Sequence, residues 1–296
     1  MNNIRPITKA IIAAAGYGTR FLPATKNQPK EMLPIIDKPI IHYLVEEAVN
    51  SGIKDIILVT RAGQHILEDY FDSHFEIENA LEGSGKLKEL ELVRNIPKMA
   101  NFIYVRQSKH FPYGNGSPLL AAKSVIDDDE AVVYMFGDDL TLSKKPVVSQ
   151  LISIYNKYKP TAVIAAQKVP RHEVSKYGIF EYLKDSPVPY QIKNIVEKPV
   201  QSKAPSNMAQ FGRFILSYEV ISELSQTPTG KGHELWLTDA LSRLAKKGRT
   251  VIAQPIQGEW LTTGDPLSYL KATVKHALIR PDIRSEFSRF LKEIRP

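Results

Sequence analysis

The sequence predicts an α/β fold built on a parallel sheet, and three observations carry that expectation. Short apolar runs alternate with helical patterns through the first half of the chain. The first run ends in a glycine loop, and the next helix pattern is followed at once by a second strand pattern, which makes a βαβ unit. Finally, the last strand pattern gives way to a purely helical C-terminal stretch.

Ile11-Ile12-Ala13-Ala14 is short and apolar, as suits a strand buried on both faces. Pro39 opens a helix with Ile40, Ile41, Leu44, Val45, Ala48 and Val49 on one face, and Gly52 stops it. Residues 55–60 read as the next strand. Residues 64–96 are helical and charged, broken at Gly83-Ser84-Gly85. Strands follow at 102–105 and 131–136, separated by a glycine-rich loop and a helix over 118–126. Residues 161–169 form a further strand, and 177–198 an antiparallel β unit with a small insertion near 187–189. Helices are expected at 218–225 and 234–247, a strand at 250–256, and two helices over 266–294. No repeat, low-complexity tract or linker interrupts the chain, so the expectation is one domain over 1–296 with 266–294 as a helical appendage.

At 296 residues the chain suffices for one large α/β domain, and its 43% hydrophobic and 24% charged content is that of a globular protein. No apolar run approaches the length of a membrane span, and MNNIRPITK lacks the apolar core of a signal peptide. The absence of cysteine excludes disulfides and thiolate metal sites and fits a cytoplasmic protein. The net charge of +7 is scattered rather than gathered in a stripe interleaved with aromatics. Small anionic substrates account for it, and no nucleic-acid or membrane partner is expected.

The glycine loop carries the chemistry. In Gly16-Tyr17-Gly18-Thr19 the backbone can turn sharply and point N–H groups at anionic oxygens. Arg20 and Lys30 add two fixed cations, as a polyphosphate requires. A dinucleotide fingerprint would need a small residue in place of Phe21 and an immediate helix, which Pro23 and Pro29 oppose; no Gly-Lys-Ser/Thr ending makes it a P-loop. Alone, the glycine pair is equally a simple turn. Downstream, Phe136-Gly137-Asp138-Asp139 closes an apolar strand, and paired carboxylates at such an end suit a magnesium ion bridging phosphates. Asp127-Asp128-Asp129-Glu130, which precedes that strand, reads as a solvated loop.

The full string through Lys30-Glu31-Met32-Leu33-Pro34 resembles the signature of sugar-nucleotide pyrophosphorylases, and its ending looks like the bacterial UTP–glucose-1-phosphate uridylyltransferases. The resemblance spans roughly 8–280. It implies a Rossmann-like nucleotidyltransferase fold: a mixed, mainly parallel sheet sandwiched by helices. It implies Arg20, Lys30, Asp138 and Lys198 as the catalytic set, with Asp138 ligating Mg²⁺. The nucleotide would meet Ala14, Ala15, Gly16, Gly18, Thr19, Gln107, Gly114, Gly116 and Asp139. The sugar would meet Tyr177, Gly178, Glu197 and Lys198, a carboxylate for adjacent hydroxyls and a lysine for the phosphate.

Three departures stand out. Ser117-Pro118 replaces the family's His-Ala pair, and Trp236 stands where glutamine is common. Thr262 occupies the place of a second metal carboxylate, and a neutral hydroxyl is a weaker magnesium ligand. The activity implied is UTP plus glucose 1-phosphate giving UDP-glucose and pyrophosphate, with no protein base because the nucleophile is already anionic. Two alternatives stay open: another nucleotide or sugar phosphate, such as dTTP, or a weakly active regulatory paralogue that binds nucleotide sugar. Leu267, Leu270, Val274, Leu278, Phe287 and Leu291 add the expectation of a homodimer or higher homo-oligomer formed through the C-terminal helices.

Overall fold

A computed structural model describes residues 5–294; the first four and last two positions of the expected 1–296 unit lie outside them. Strand β1 (Lys9–Ala13) runs into the glycine loop, which holds only single 3-10 turns at Thr19–Phe21 and Lys30–Met32. A small hairpin, β2 (Pro34–Ile35) and β3 (Lys38–Pro39), leads to α1 (Ile40–Val49), and β4 (Asp55–Thr60) completes the βαβ unit. The charged stretch becomes α2 (Ile66–Tyr70), α3 (Phe75–Gly83) and α4 (Leu87–Asn95), followed by β5 (Asn101–Arg106), α5 (Ser117–Ala121) and β6 (Ala131–Phe136). Then come β7 (Asp139–Leu142), α6 (Val147–Tyr158), β8 (Ala162–Lys168), β9 (Gly178–Tyr182), β10 (Ile192–Glu197) and β11 (Met208–Ser217). The chain ends with α7 (Tyr218–Ser225), α8 (Leu237–Lys246), β12 (Val251–Pro255), β13 (Glu259–Thr262), α9 (Pro266–Ile279) and α10 (Arg284–Glu293).

Nine strands form the main sheet, in the order β10-β9-β11-β6-β1-β4-β5, with β8 also on β11 and β12 beyond β8. The block β6-β1-β4-β5 is parallel throughout, while β11 runs antiparallel to both β6 and β8. Alternate side chains of these strands enter opposite cores. Ile12, Ile56, Leu58 and Val133 pack with α1 and α6, whereas Ile11, Ile57, Val59 and Tyr134 pack with α5, α7 and α8. The sheet is therefore sandwiched by helices, because both faces of a parallel strand must be covered.

Three local outcomes differ from the sequence reading. The ten-residue β11 passed without a strand signal, because its central charge, Arg213, is fully buried instead of facing water. Helix α8 starts at Leu237 rather than 234, since the Leu235 N–H donates to Tyr113 O and its carbonyl accepts from Gly116 N–H. Within the acidic run, Asp127 and Asp129 face solvent beside Arg5, but Glu130 is buried and accepts from Lys9 Nζ at 2.6 Å. No described helix is long and apolar enough to cross a membrane.

Candidate functional site

The carboxyl ends of β1, β5 and β6 open onto a cavity of about 250 Å³, lined by Ala15, Gly16, Lys30, Gln107, Gly114 and Asp138 among others. The cleft lies where the loops leaving a parallel sheet are free to meet a ligand. Ala14 is buried, its N–H donating to Val59 O at 2.9 Å, and so closes the strand before the loop turns away. The loop is braced from within: the Thr25 hydroxyl donates to Gly18 O at 2.7 Å, and Thr19 opens the exposed turn that carries Arg20. Arg20 reaches across to the far wall, its Nη1 donating to Gly264 O at 3.2 Å.

Lys30 and Asp138 meet at the centre, Nζ to Oδ2, at 2.5 Å. Burial alone would raise the Asp138 carboxyl, but the ammonium of Lys30 outweighs it and holds the group below the usual carboxylate range. Burial likewise opposes the charge on Lys30, and Asp138 and Glu31 overcome it and raise its pKa. Glu31, which the sequence reading left unassigned, lines the same cavity with Oε2 buried and without a partner. Its burial, against the pull of Lys30, pushes it up to about 7.

Thr262 stands beside Asp138. β13 pairs with β7 so that Thr262 lies opposite Asp139, and both the N–H and the hydroxyl of Thr263 donate to Asp138 O, at 2.7 and 2.8 Å. A Cβ on Gly264 would sit 3.1 Å from Asp138 Oδ2 and 3.4 Å from Thr262 Oγ1, so glycine keeps the space before the carboxylate open. Asp265 does not substitute, because its side chain caps α9 by accepting from Ser268 N–H and Oγ–H. Among the described residues no group of three His, Asp or Glu side chains is arranged around a metal. One ionised carboxylate with an adjacent hydroxyl fits a magnesium ion that draws its other ligands from phosphates and water.

Asp139, expected among the nucleotide-binding residues, has both carboxylate oxygens engaged inside the protein. Oδ2 accepts from Gly212 N–H at 2.8 Å and Oδ1 from the Trp260 indole at 2.7 Å. Burial and the neighbouring Asp138 charge raise its pKa, against those two donors.

On the opposite wall, Gln107 follows β5 with its Oε1 buried and unpartnered. Gly114 has φ 134°, and a Cβ there would lie 2.4 Å from Leu235 O, so only glycine allows the two backbones to meet. Gly116 and Asn115 extend the seam: Gly116 N–H donates to Leu235 O and Asn115 Oδ1 accepts from Leu237 N–H, both at 2.9 Å. Pro118 opens α5 as a first-turn proline, and the Ser117 hydroxyl donates to Pro112 O.

Tyr177, Gly178, Glu197 and Lys198 come together because Gly178 pairs with Glu197 in the β9–β10 ladder and Lys198 N–H donates to Tyr177 O at 3.0 Å. Burial raises the Glu197 carboxyl despite Lys198 beside it, and Glu197 Oε2 accepts from the Thr238 hydroxyl at 3.3 Å. Tyr177 meets Trp260 edge-on at 4.9 Å, and Trp260 bonds Asp139, so this group joins the strand end that carries Asp138. Of the expected residues, then, Ala15, Gly16, Lys30, Gln107, Gly114 and Asp138 line one cavity, and Tyr177, Gly178, Glu197 and Lys198 form a separate cluster that reaches it through the Lys198 ammonium, 4.4 Å from the Trp236 ring centroid; Ala14 and Asp139 are buried away from it. Trp260 and Asn115 had no signal of their own, since each acts through a partner more than a hundred residues away.

A profile of the nucleotidyl transferase family matches residues 9–277. A UTP–glucose-1-phosphate uridylyltransferase of Staphylococcus haemolyticus (strain JCSC1435) is 42% identical over 291 residues, which cover 98% of this chain and 99% of that protein. The solved structure of a UDP-glucose pyrophosphorylase from Acinetobacter baumanii is similar with a TM-score of 0.88 at 37% identity, covering 98% of this chain and 100% of that one. A UDP-glucose pyrophosphorylase complexed with UDP-glucose gives a TM-score of 0.80 at 39% identity, over 93% of this chain and 100% of the other.

Proposed function

The chain belongs to the nucleotidyl transferase family, and from that premise we propose that it forms UDP-glucose and pyrophosphate from UTP and glucose 1-phosphate. The observation that carries this reading is that two cation–carboxylate groups approach one cavity: Lys30 with Asp138 line it behind the glycine loop, and Lys198 beside Glu197 reaches its edge, the ammonium 4.4 Å from the ring of Trp236, which lines it. In this reading the glycine loop, Arg20 and Lys30 cradle the triphosphate. Gln107, Gly114 and Gly116 hold the base, and the unpartnered Gln107 Oε1 supports that role, because a base-edge donor would satisfy it. Tyr177, Gly178 and Glu197 take the sugar, and Lys198 its phosphate.

An oxygen of the sugar phosphate attacks the α-phosphorus in line. The bond from that phosphorus to the bridging oxygen breaks, and pyrophosphate leaves with the electron pair. The attacking oxygen is already anionic, so no side chain need take a proton. What the residues supply is position and charge: Lys198 orients the nucleophile, while Lys30 and Arg20 neutralise the leaving group. Magnesium fits this chemistry, with Asp138 to hold it and the space before Gly264 left open; when bound it would neutralise phosphate charge.

A nine-stranded sheet that takes strands from β1 through β12 supports one domain, and the cysteine-free sequence supports a cytoplasmic location. Thr262 beside Asp138 and Ser117 in place of the family's histidine are the features that favour the second reading, a weakly active regulatory paralogue. A pyrophosphate-release assay with UTP, dTTP, CTP and ATP against several sugar 1-phosphates separates the two. Turnover is expected with UTP and glucose 1-phosphate, lost on chelation; release with none of the pairs would leave the regulatory reading.

A further inference from the structure

Lys198, just after β10, lies in the left-handed region, φ 46°, a conformation that costs a lysine free energy its surroundings must supply. Its ammonium lies 4.4 Å from the centroid of the Trp236 indole, with Glu197 Oε1 at 3.7 Å. Trp236 is itself fixed. Its indole N–H donates to Lys231 O at 2.9 Å, and its neighbours are tied to the opposite loop, Leu235 N–H to Tyr113 O at 2.7 Å and Leu237 N–H to Asn115 Oδ1 at 2.9 Å. The same indole lines the cavity that holds Gln107, Gly114 and Asp138.

We propose that Trp236 is a positioning residue that holds the Lys198 ammonium at the cleft before the sugar phosphate arrives. The proposal rests on the UDP-glucose-forming reading and goes beyond it. A ring face attracts a cation through its quadrupole and occupies none of its three N–H groups, so the held lysine remains able to donate to a phosphate. Fixing a flexible four-carbon stem in advance removes part of the ordering cost of binding. An aliphatic side chain at 236 has no such face, and phenylalanine keeps a weaker one.

Calorimetric titration of UDP-glucose and of UTP into the wild type, Trp236→Phe and Trp236→Leu tests this, each variant first shown folded by its melt. Trp236→Leu should weaken UDP-glucose roughly three- to ten-fold and leave UTP within about two-fold, with Trp236→Phe between. On a Lys198→Ala background the Leu substitution should add nothing further, because its effect runs through the lysine. Equal UDP-glucose affinity in the wild type and both variants would overturn the proposal while leaving the enzyme reading intact. So would an undiminished effect of Trp236→Leu without Lys198. If the wild type bound UTP but no UDP-glucose, the functional reading itself would fall, and this proposal with it.

Discussion

In the proposed reaction, Lys198 is the residue that meets the sugar phosphate. A charge-assisted hydrogen bond to a phosphate is worth about 1.5–3 kcal/mol, so Lys198→Ala should lower kcat/KM for glucose 1-phosphate by roughly 10- to 150-fold. Glu197→Gln should blur discrimination among sugars more than it weakens UTP. Steady-state kinetics with each substrate varied in turn checks both, and a change confined to the KM of UTP would assign the motif to the wrong substrate. These residues were legible because each motif is contiguous: a loop, a strand end, a Glu-Lys-Pro corner. Asp139 was not, because its two partners, Gly212 and Trp260, lie far along the chain. Adjacent carboxylates look alike in sequence, and only the fold turns one toward the cleft and the other inward.

At the scale of elements, most helices and strands fall where apolar spacing puts them, and the exceptions share one cause. Arg213 is buried in β11 because Glu47 of α1 meets it in a bidentate pair, Nε and Nη2 donating at 3.1 and 2.8 Å, while Nη2 also donates to Asp139 O at 2.7 Å. A charge paired across 166 residues reads as solvent-facing until its partner is known. β7 and β13 are similarly invisible, four residues each, since neither forms a ladder without the other.

Helix α9 closes this region with His276 against Tyr43, ring centroids 4.9 Å apart. Burial pushes the His276 imidazole below its ordinary value of 6.5, and its Nε2 is buried without a partner. The folded protein therefore binds this proton less readily than the unfolded chain does. Stability from this group is full above the unfolded pKa and is lost as pH falls below it. The urea midpoint should drop more between about pH 8 and about pH 5.5 in the wild type than in His276→Phe, which keeps the ring and removes the titration. Equal drops in the two proteins would mean that the histidine contributes nothing to acid sensitivity.

Over the whole molecule, α9 turns Ala272 and Ala277 inward and leaves Leu267 and Leu270 61% and 58% exposed. Apolar residues held outward on a docked helix are what a second copy would cover, and on that ground a homodimer is proposed. Light scattering at micromolar concentration should give about twice the 33.3 kDa of the chain, and Leu270→Lys should halve it. A wild-type monomer would show that these leucines serve no self-association.

The fold class and the family were legible throughout, since they rest on local patterns repeated in order. Whether Asp138 with Thr262 beside it makes a working magnesium site was not, because that depends on what phosphates and water add to them. The most direct measurement is the rate of Mg²⁺-dependent pyrophosphate release from UTP and glucose 1-phosphate by the wild type, Thr262→Val, Thr262→Asp and Asp138→Asn. The expected result is wild-type turnover, a Thr262→Val rate within about three-fold of it, and near-complete loss in Asp138→Asn. An inactive wild type restored by Thr262→Asp would contradict the single-carboxylate site and make this chain a regulator rather than a catalyst.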